Sequence, residues 1–169
     1  EAVIRIAARR GVALSYLETN AVCCTSVQRA RRQFARLAAA GLPAVLISAS
    51  PFHNEFIPFA RTRNAVQAAE EVFGPGGVIV WVPQMYRALA AMDAGRTRTV
   101  EAFCAAAGLS GVAELHGRYP MTPGGRVTER LRACFRPRPA GAFEGERCDG
   151  ELDSTTHFHI DCHGHLFTG

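Results

Sequence analysis

Three short apolar runs recur in the first half of the chain, about 30 residues apart, which is the usual size of a βαβ unit. They extend over Val12–Leu17, Ala44–Ser48 and Val78–Val82, and stretches with apolar residues at helical spacing separate them. Strands that are apolar on both faces and alternate with helices are typical of a parallel sheet covered on both sides. The pattern therefore predicts an α/β protein.

The helical stretches have one apolar stripe each, and their remaining surface is polar. We predict helices over residues 1–10, 27–40 and 62–73, and glycines follow the first two. Beyond residue 83 the pattern weakens. It favours helices near residues 100–107 and 127–134, one more strand over Glu114–Tyr119, and an irregular connection over 136–154 before a terminal strand.

Composition narrows the class of protein. The 169 residues suffice for one ordinary domain, and all 19 basic residues are arginine, which fits GC-rich coding. A net charge of +4 is a weak sign of anionic ligands, and solvated helix faces are the better explanation of it, so nucleic acid is not an expected partner. No apolar run reaches membrane-spanning length, which favours a soluble cytoplasmic protein without a membrane partner.

The ends of the sequence suggest an internal fragment. The chain opens with a helical pattern, EAVIRIAARR, without an initiator methionine, and it closes on Gly169 directly after an apolar segment. The six cysteines form no compact disulfide framework, so metal binding or buried thiols are favoured over bridges. We therefore expect part of the functional protein to lie outside these residues.

Polar residues follow each of the three predicted strands. The segments are Glu18–Asn20, Ser48–Glu55 and Pro83–Gln84, and each is richer in hydrogen-bonding groups than a simple turn requires. Ligands of parallel α/β proteins bind beyond the carboxyl ends of the strands. The sequence therefore predicts a polar ligand site at this edge of the sheet.

Two of these segments, LETNA and LISASPFHNEFIP, resemble the middle of radical S-adenosylmethionine (radical SAM) enzymes. Thr19, Asn20 and Ala21 match that family's Thr-Asn-Gly turn, with alanine in place of glycine. The resemblance implies a partial TIM-type (β/α)6 barrel whose N-terminal strands are missing, over residues 1–135. A short irregular C-terminal extension would follow over 136–169 and end in a β-hairpin.

The resemblance also implies roles for individual residues. Thr19, Asn20, Ser48, Ser50 and Gln84 would bind the cofactor S-adenosylmethionine. His53 and Glu55 would face the substrate, although capping a helix or bracing a loop is an equally good interpretation of these two. The residues offer no basis for naming a catalytic group, and the substrate would be an unidentified small molecule or peptide.

The radical chemistry of this family needs a [4Fe–4S] cluster held by Cys-x3-Cys-x2-Cys, and an electron donor that reduces it. The six cysteines never have that spacing, and Cys23 and Cys24 are too close together to replace it. The cluster ligands are therefore expected in the missing N-terminal part. We predict an enzyme in full-length form and no activity in this fragment alone.

Near the end of the sequence, the stretch HFHIDCHGH has four histidines and an aspartate at alternate positions from His157 to His165. On one uninterrupted strand they would share a face, close to the His-x-His-x-Asp-His motif of metallo-β-lactamase-like hydrolases, so a metal-dependent hydrolase is one alternative function. A hairpin turning near Asp161–Gly164 would separate the histidines. Such a hairpin resembles the cysteine-rich extension of some radical SAM enzymes, and Cys148 and Cys162 would then be ligands of an auxiliary cluster. A non-catalytic, barrel-derived binding module is the remaining alternative.

Overall fold

The computed structural model describes residues 1–121, 126–134, 136, 138–145, 159–160 and 165–167. The chain divides into two compact units, Glu1–Cys134 and Phe135–Gly169. The larger unit has a small parallel sheet and most of the helices. No helix among the described residues is long and apolar enough to cross a membrane.

The sheet of the larger unit contains three parallel strands in the order β1-β2-β3. They are β1 (Leu17–Thr19), β2 (Val45–Ser48) and β3 (Val78–Trp81), and Glu18 lies beside Leu46 in the register. The parallel pairing that the apolar runs predict is therefore present. The first strand begins later than the predicted Val12, because pairing starts where the Leu17 amide donates to the carbonyl oxygen of Ala44.

Helices connect and follow these strands. They are α1 (Ala2–Arg9), α2 (Val27–Ala39), α3 (Pro51–Asn54), α4 (Phe59–Phe73), α5 (Pro83–Ala90), α6 (Val100–Ala106), α7 (Val112–Arg118) and α8 (Arg126–Leu131), with short 3-10 turns at Pro75–Gly77 and Arg132–Cys134.

One face of the sheet packs against the two longest helices, α2 and α4. Phe34 of α2 lies in this core with Val45 and Ile47 of β2, and the three side chains are buried. Gly77, just before β3, allows the chain to lie close to the end of α4, because a Cβ at this position would clash with the Cβ of Phe73. The opposite face is open: Ile79 and Trp81 are among its exposed apolar residues.

A second apolar cluster joins α5, α6 and α7. Met85, Phe103 and Leu115 are fully buried there, and Phe52 and Phe59 extend the cluster toward α3 and α4. These helices have only seven or eight residues each. Isolated helices of this length are unstable in water, so packing against one another must hold them.

The predicted (β/α)6 barrel is wrong. Within the described part of the chain, the larger unit is rich in helices around an open sheet of three strands. A barrel needs strands that continue the pairing until the sheet closes, and the extra strands came only from the family resemblance.

The further strand predicted over Glu114–Tyr119 is also wrong, because these residues belong mainly to helix α7. The Glu114 carboxylate accepts hydrogen bonds from the Ser110 amide and hydroxyl, at 2.8 and 2.9 Å. This contact stabilises the first turn of the helix, where the backbone amides lack partners within it. Leu115 is the buried residue of α7, and a single apolar anchor has no periodicity that would distinguish a strand from a helix.

The smaller unit contains a 3-10 turn at Ala140–Phe143 and two short strands, β4 (His159–Ile160) and β5 (Leu166–Phe167). The strands are antiparallel, with His159 beside Phe167 and Ile160 beside Leu166. Antiparallel pairing means that Ile160 and Leu166 do not lie along one continuous strand. The predicted turn, Asp161–Gly164, lies outside the described residues.

Candidate functional site

A cavity of about 230 Å³ lies at the carboxyl edge of the sheet. One part of its wall is polar, and the other part is aromatic, aliphatic or sulfur-containing. Its lining residues are Glu18, Ser48, Ser50, Phe52, His53, Trp81, Val82, Met85, Pro120, Met121 and Val127. A concave apolar surface with a few converging polar groups is the usual form of a small-molecule site.

Ser50 and His53 belong to the short helix α3 that follows β2. Ser50 is the N-cap residue, and its hydroxyl oxygen accepts from the His53 amide at 3.4 Å. The same oxygen lies 2.7 Å from Nδ1 of the His53 ring. Burial lowers the pKa of His53, and the nearby Glu18 charge opposes this shift. A neutral imidazole has one nitrogen that donates a hydrogen bond and one that accepts.

Glu18 and Ser48 come from neighbouring strands and meet on the open face of the sheet. The Ser48 hydroxyl donates to Oε1 of Glu18 at 3.2 Å, and Ser48 is almost fully buried. A carboxylate can accept several hydrogen bonds, so this one leaves further acceptor capacity on Glu18. The pair therefore presents a negatively charged, hydrogen-bonding edge to the cavity.

Trp81 closes the apolar side of the cavity at the end of β3. Its side chain is partly exposed, and it lies beside Ser48 in the sheet register. The Trp81–Val82 peptide bond is cis. The Val82 amide donates to the carbonyl oxygen of Ala49, and the Ala49 amide donates to that of Trp81. These bonds continue the pairing of β2 and β3 up to the cavity.

Three of the predicted cofactor-binding residues lie outside this lining. The side-chain oxygens of Thr19 and Asn20 accept from the amides of Ala21 and Val22, each at 3.1 Å, and so stabilise the turn after β1. Ala21 occupies the glycine position of the family motif and has a φ of 61°, a left-handed conformation that glycine adopts most easily. Gln84 is exposed in the first turn of α5. The cofactor roles of these residues stay predictions.

Glu55, predicted to face the substrate or brace the loop, makes bracing contacts. Its Oε1 accepts from the Val100 amide at 3.1 Å and from Nη2 of Arg130 at 2.9 Å. Arg130 also pairs with Glu101 at 3.2 Å. These contacts connect α3 with the start of α6 and with α8, which contributes Val127 to the cavity. Glu55 therefore supports one wall of the site without lining it.

The two buried cysteines, Cys24 and Cys104, are poor candidates for metal ligands. Burial, followed by the neighbouring Cys23, raises the pKa of the Cys24 thiol well above its ordinary value. Burial also raises the pKa of Cys104. Metals bind the thiolate form, which both shifts disfavour. Among the described residues, no three histidine, cysteine or acidic side chains are grouped to hold a metal ion.

The predicted auxiliary-cluster ligands, Cys148 and Cys162, lie outside the described residues, as do His157 and His163. His165 is exposed next to β5. Because β4 and β5 are antiparallel, His159 and His165 do not lie along one continuous strand. The hydrolase alternative stays a prediction. The auxiliary cluster stays a prediction.

Sequence reasoning gave several lining residues no individual role. Glu18 was included only as part of the polar segment after the first strand, and strand alternation places it on the opposite face of the sheet from Thr19. This alternation could have singled out Glu18, and the single tryptophan at a strand end was a second available signal. Met85 and Met121 also line the cavity, but they lie in a short helix and in a loop whose positions cannot be predicted from apolar periodicity.

Comparison with known proteins adds no assignment: no family model matches the sequence, and neither a curated protein nor a solved structure matches it. The site must therefore be interpreted from its own chemistry and from the sequence motifs at its edge.

Proposed function

We propose that the cavity at the carboxyl edge binds the adenosyl group of S-adenosylmethionine, and that the chain is part of a cytoplasmic radical SAM enzyme. The observation that carries this proposal is the division of the cavity wall. Glu18, Ser48, Ser50 and His53 form a polar end, while residues such as Trp81 and Met85 form an apolar wall. An adenosyl group has the same division, with a flat purine and a hydroxyl-bearing ribose.

The polar end suits a ribose. Ribose hydroxyls can donate to the Glu18 carboxylate and can exchange hydrogen bonds with Ser50 and His53. Each ordinary hydrogen bond contributes about 0.5–1.5 kcal/mol, and about 1.5–3 kcal/mol when one partner is charged. The apolar wall suits the purine, because an aromatic ring such as that of Trp81 can stack on its flat face.

The proposal rests on the motif residues and the cavity, and it does not depend on the barrel prediction. When bound, a [4Fe–4S] cluster with an open iron site would supply the electron that cleaves the cofactor. This chain's own residues would bind and orient the adenosyl group and limit the access of water. The ligands of that cluster would then lie outside this sequence, and the whole enzyme would need an electron donor that reduces the cluster. The chain alone should release no 5′-deoxyadenosine.

Isothermal titration calorimetry of this chain with S-adenosylmethionine tests the proposal. In the Ser48→Ala/Ser50→Ala variant, the ribose loses its hydrogen bond with Ser50, and Glu18 loses the Ser48 hydroxyl that orients it for the ribose. Together these losses should raise Kd about 5- to 150-fold. Ser110→Ala is a matched control, because Ser110 lies in an exposed turn before α7, and it should leave Kd unchanged.

Ser50 also caps α3, so thermal unfolding of each variant must accompany the titration. Ser48→Ala alone keeps this cap and should still weaken binding. Absence of binding to the wild-type chain, or equal Kd values for wild type and Ser48→Ala when both are folded, would contradict the proposed function.

A further inference from the structure

A second cavity, of about 320 Å³, adjoins the first on the open face of the sheet. It is lined by Tyr16, Glu18, Leu46 and Trp81. Glu18 and Trp81 also line the first cavity, so the two cavities share a wall. A ligand in the second cavity would therefore lie directly beside one in the first.

The position of these four residues follows from the sheet. Glu18 and Leu46 are partners in the register, and Ser48 and Trp81 are partners one pleat further along. Tyr16 lies two residues before Glu18, which is the spacing of side chains on the same face of a strand. Tyr16 and Trp81 are both about half exposed, at 45% and 46%. The second cavity is therefore lined by two aromatic side chains, one carboxylate and the aliphatic side chain of Leu46.

This combination is suited to a positively charged ligand. The faces of tyrosine and tryptophan rings attract ammonium groups within about 6 Å through the ring quadrupole. Glu18 adds a full negative charge, and the Ser48 hydroxyl holds one of its oxygens in place at 3.2 Å. Leu46 supplies apolar contact for the carbon chain of such a ligand.

We propose that the second cavity binds a protonated primary amine with an aliphatic body. The ammonium group contacts Glu18 and the aromatic rings, and the aliphatic chain lies on Leu46. Recognition of the amine stands on this cavity alone. The assignment of an alkylammonium compound as the substrate class, held beside the cofactor, rests on the proposed function of the first cavity.

Trp81 is the single tryptophan of the chain, so its fluorescence reports directly on this cavity. The probes are n-butylammonium chloride, 1-butanol and sodium butyrate at pH 7 and constant ionic strength. They share a four-carbon chain and differ in charge. We expect saturable changes of fluorescence with n-butylammonium at concentrations about 5- to 30-fold lower than with 1-butanol. Butyrate should bind more weakly than both.

Glu18→Gln keeps the shape of the side chain and removes its charge, so it should abolish most of the preference for the ammonium probe. Glu71→Gln is the control, because Glu71 is a surface carboxylate of α4 that pairs with Arg31. Tyr16→Leu should weaken binding of n-butylammonium and leave that of 1-butanol almost unchanged. Thermal unfolding confirms that each variant is folded.

Absence of a saturable change with n-butylammonium, equal midpoints for n-butylammonium and 1-butanol, or an undiminished preference in folded Glu18→Gln would overturn the inference. The two proposals can fail separately. Ammonium binding without binding of S-adenosylmethionine would contradict only the proposed function and leave the amine site in place. Cofactor binding without ammonium recognition would contradict only the amine site.

Discussion

Two regions of the larger unit differ in how they are stabilised. The sheet region consists of β1–β3 with α2 and α4, and the helical region consists of α5–α8. In the sheet region, helices of 13 and 15 residues cover a continuous parallel sheet. In the helical region, the helices have only six to eight residues; α6, α7 and α8 pack in sequence on one another, and α5 packs on α4 and β3. Long helices have a repeated apolar stripe that packs on the sheet, whereas short helices depend for their stability on contacts of individual side chains.

The helical region shows this dependence at its helix ends. The Thr99 hydroxyl oxygen accepts from the Ala102 amide at 3.1 Å and caps α6. Arg130 of α8 pairs with Glu55 and Glu101. Such contacts satisfy backbone amides or charges that short helices leave without partners. Removal of one contact should therefore affect the helical region locally, before the sheet region unfolds.

The largest effects should come from two buried phenylalanines, one in each region. Phe34 lies in the sheet core, and Phe103 lies in the helical core. Replacement of either by alanine should cost about 3–5 kcal/mol, because it leaves a cavity. We expect Phe34→Ala to lower the free energy of global unfolding. Phe103→Ala should chiefly increase hydrogen exchange at amides of α6 and α7, because these short helices can open separately.

Denaturant unfolding together with hydrogen exchange measures both effects. Phe56→Ala is the control, because Phe56 is 58% exposed, and its cost should be below about 1 kcal/mol. If Phe103→Ala accelerated exchange equally in α2, α4 and α6, the two regions would unfold as one and the distinction would be wrong.

A smaller effect is expected from the ion pair between Glu55 and Arg130. Glu55→Gln removes the charge while retaining an oxygen for the Val100 amide. Because the Glu55 side chain is only 13% exposed, loss of the ion pair should lower the free energy of unfolding by about 1–2 kcal/mol, measured by chemical denaturation. Glu101→Gln changes a more exposed partner of the same arginine and should cost at most about 0.5 kcal/mol. Binding of S-adenosylmethionine should persist in both variants. If folded Glu55→Gln lost stability no more than Glu101→Gln but bound no cofactor, the bracing role would be refuted.

The smallest effect should come from Ala21→Gly in the sheet region. Its left-handed φ costs an alanine about 1–2 kcal/mol, which glycine would recover. The lost methyl burial costs about 0.8 kcal/mol, and the freer unfolded chain costs about 0.5–1 kcal/mol. The net change should therefore be under about 1 kcal/mol in thermal or denaturant unfolding.

Ala30→Gly is the matched comparison, because Ala30 is equally buried but lies within α2. It relieves no strain and should cost about 1.3–1.8 kcal/mol. Equal losses of stability at positions 21 and 30 would show that the conformation at Ala21 has no measurable cost.

The sequence predicted the sheet region more accurately than the helical region. The strand over Val78–Trp81 and the helix over Val27–Ala39 agree closely with prediction, because each has a repeated apolar pattern and a clear end. Helix α7 was mistaken for a strand, because its seven residues contain one buried anchor and its contact between Glu114 and Ser110 is not periodic. The barrel prediction failed because it extended the sheet by analogy.

The same distinction applies to the candidate site. Strand-end reasoning selected three polar segments, because parallel strands bring their carboxyl ends to one edge. Of these segments, Glu18, Ser48, Ser50 and His53 line the cavity, whereas Asn20, Glu55 and Gln84 do not. The sequence also determined the turn at Ala21, through the short-range bonds of Thr19 and Asn20.

Only the tertiary structure decided which other side chains meet there. Glu18 reaches Ser48 because their strands are adjacent, although 30 residues separate them in sequence. Glu55 turns from the cavity to Arg130 across an even longer separation, 75 residues. The local sequence pattern determines the direction in which a side chain points from its strand or helix. Its contact partner depends on how distant segments pack together, and no short-range sequence pattern specifies that packing.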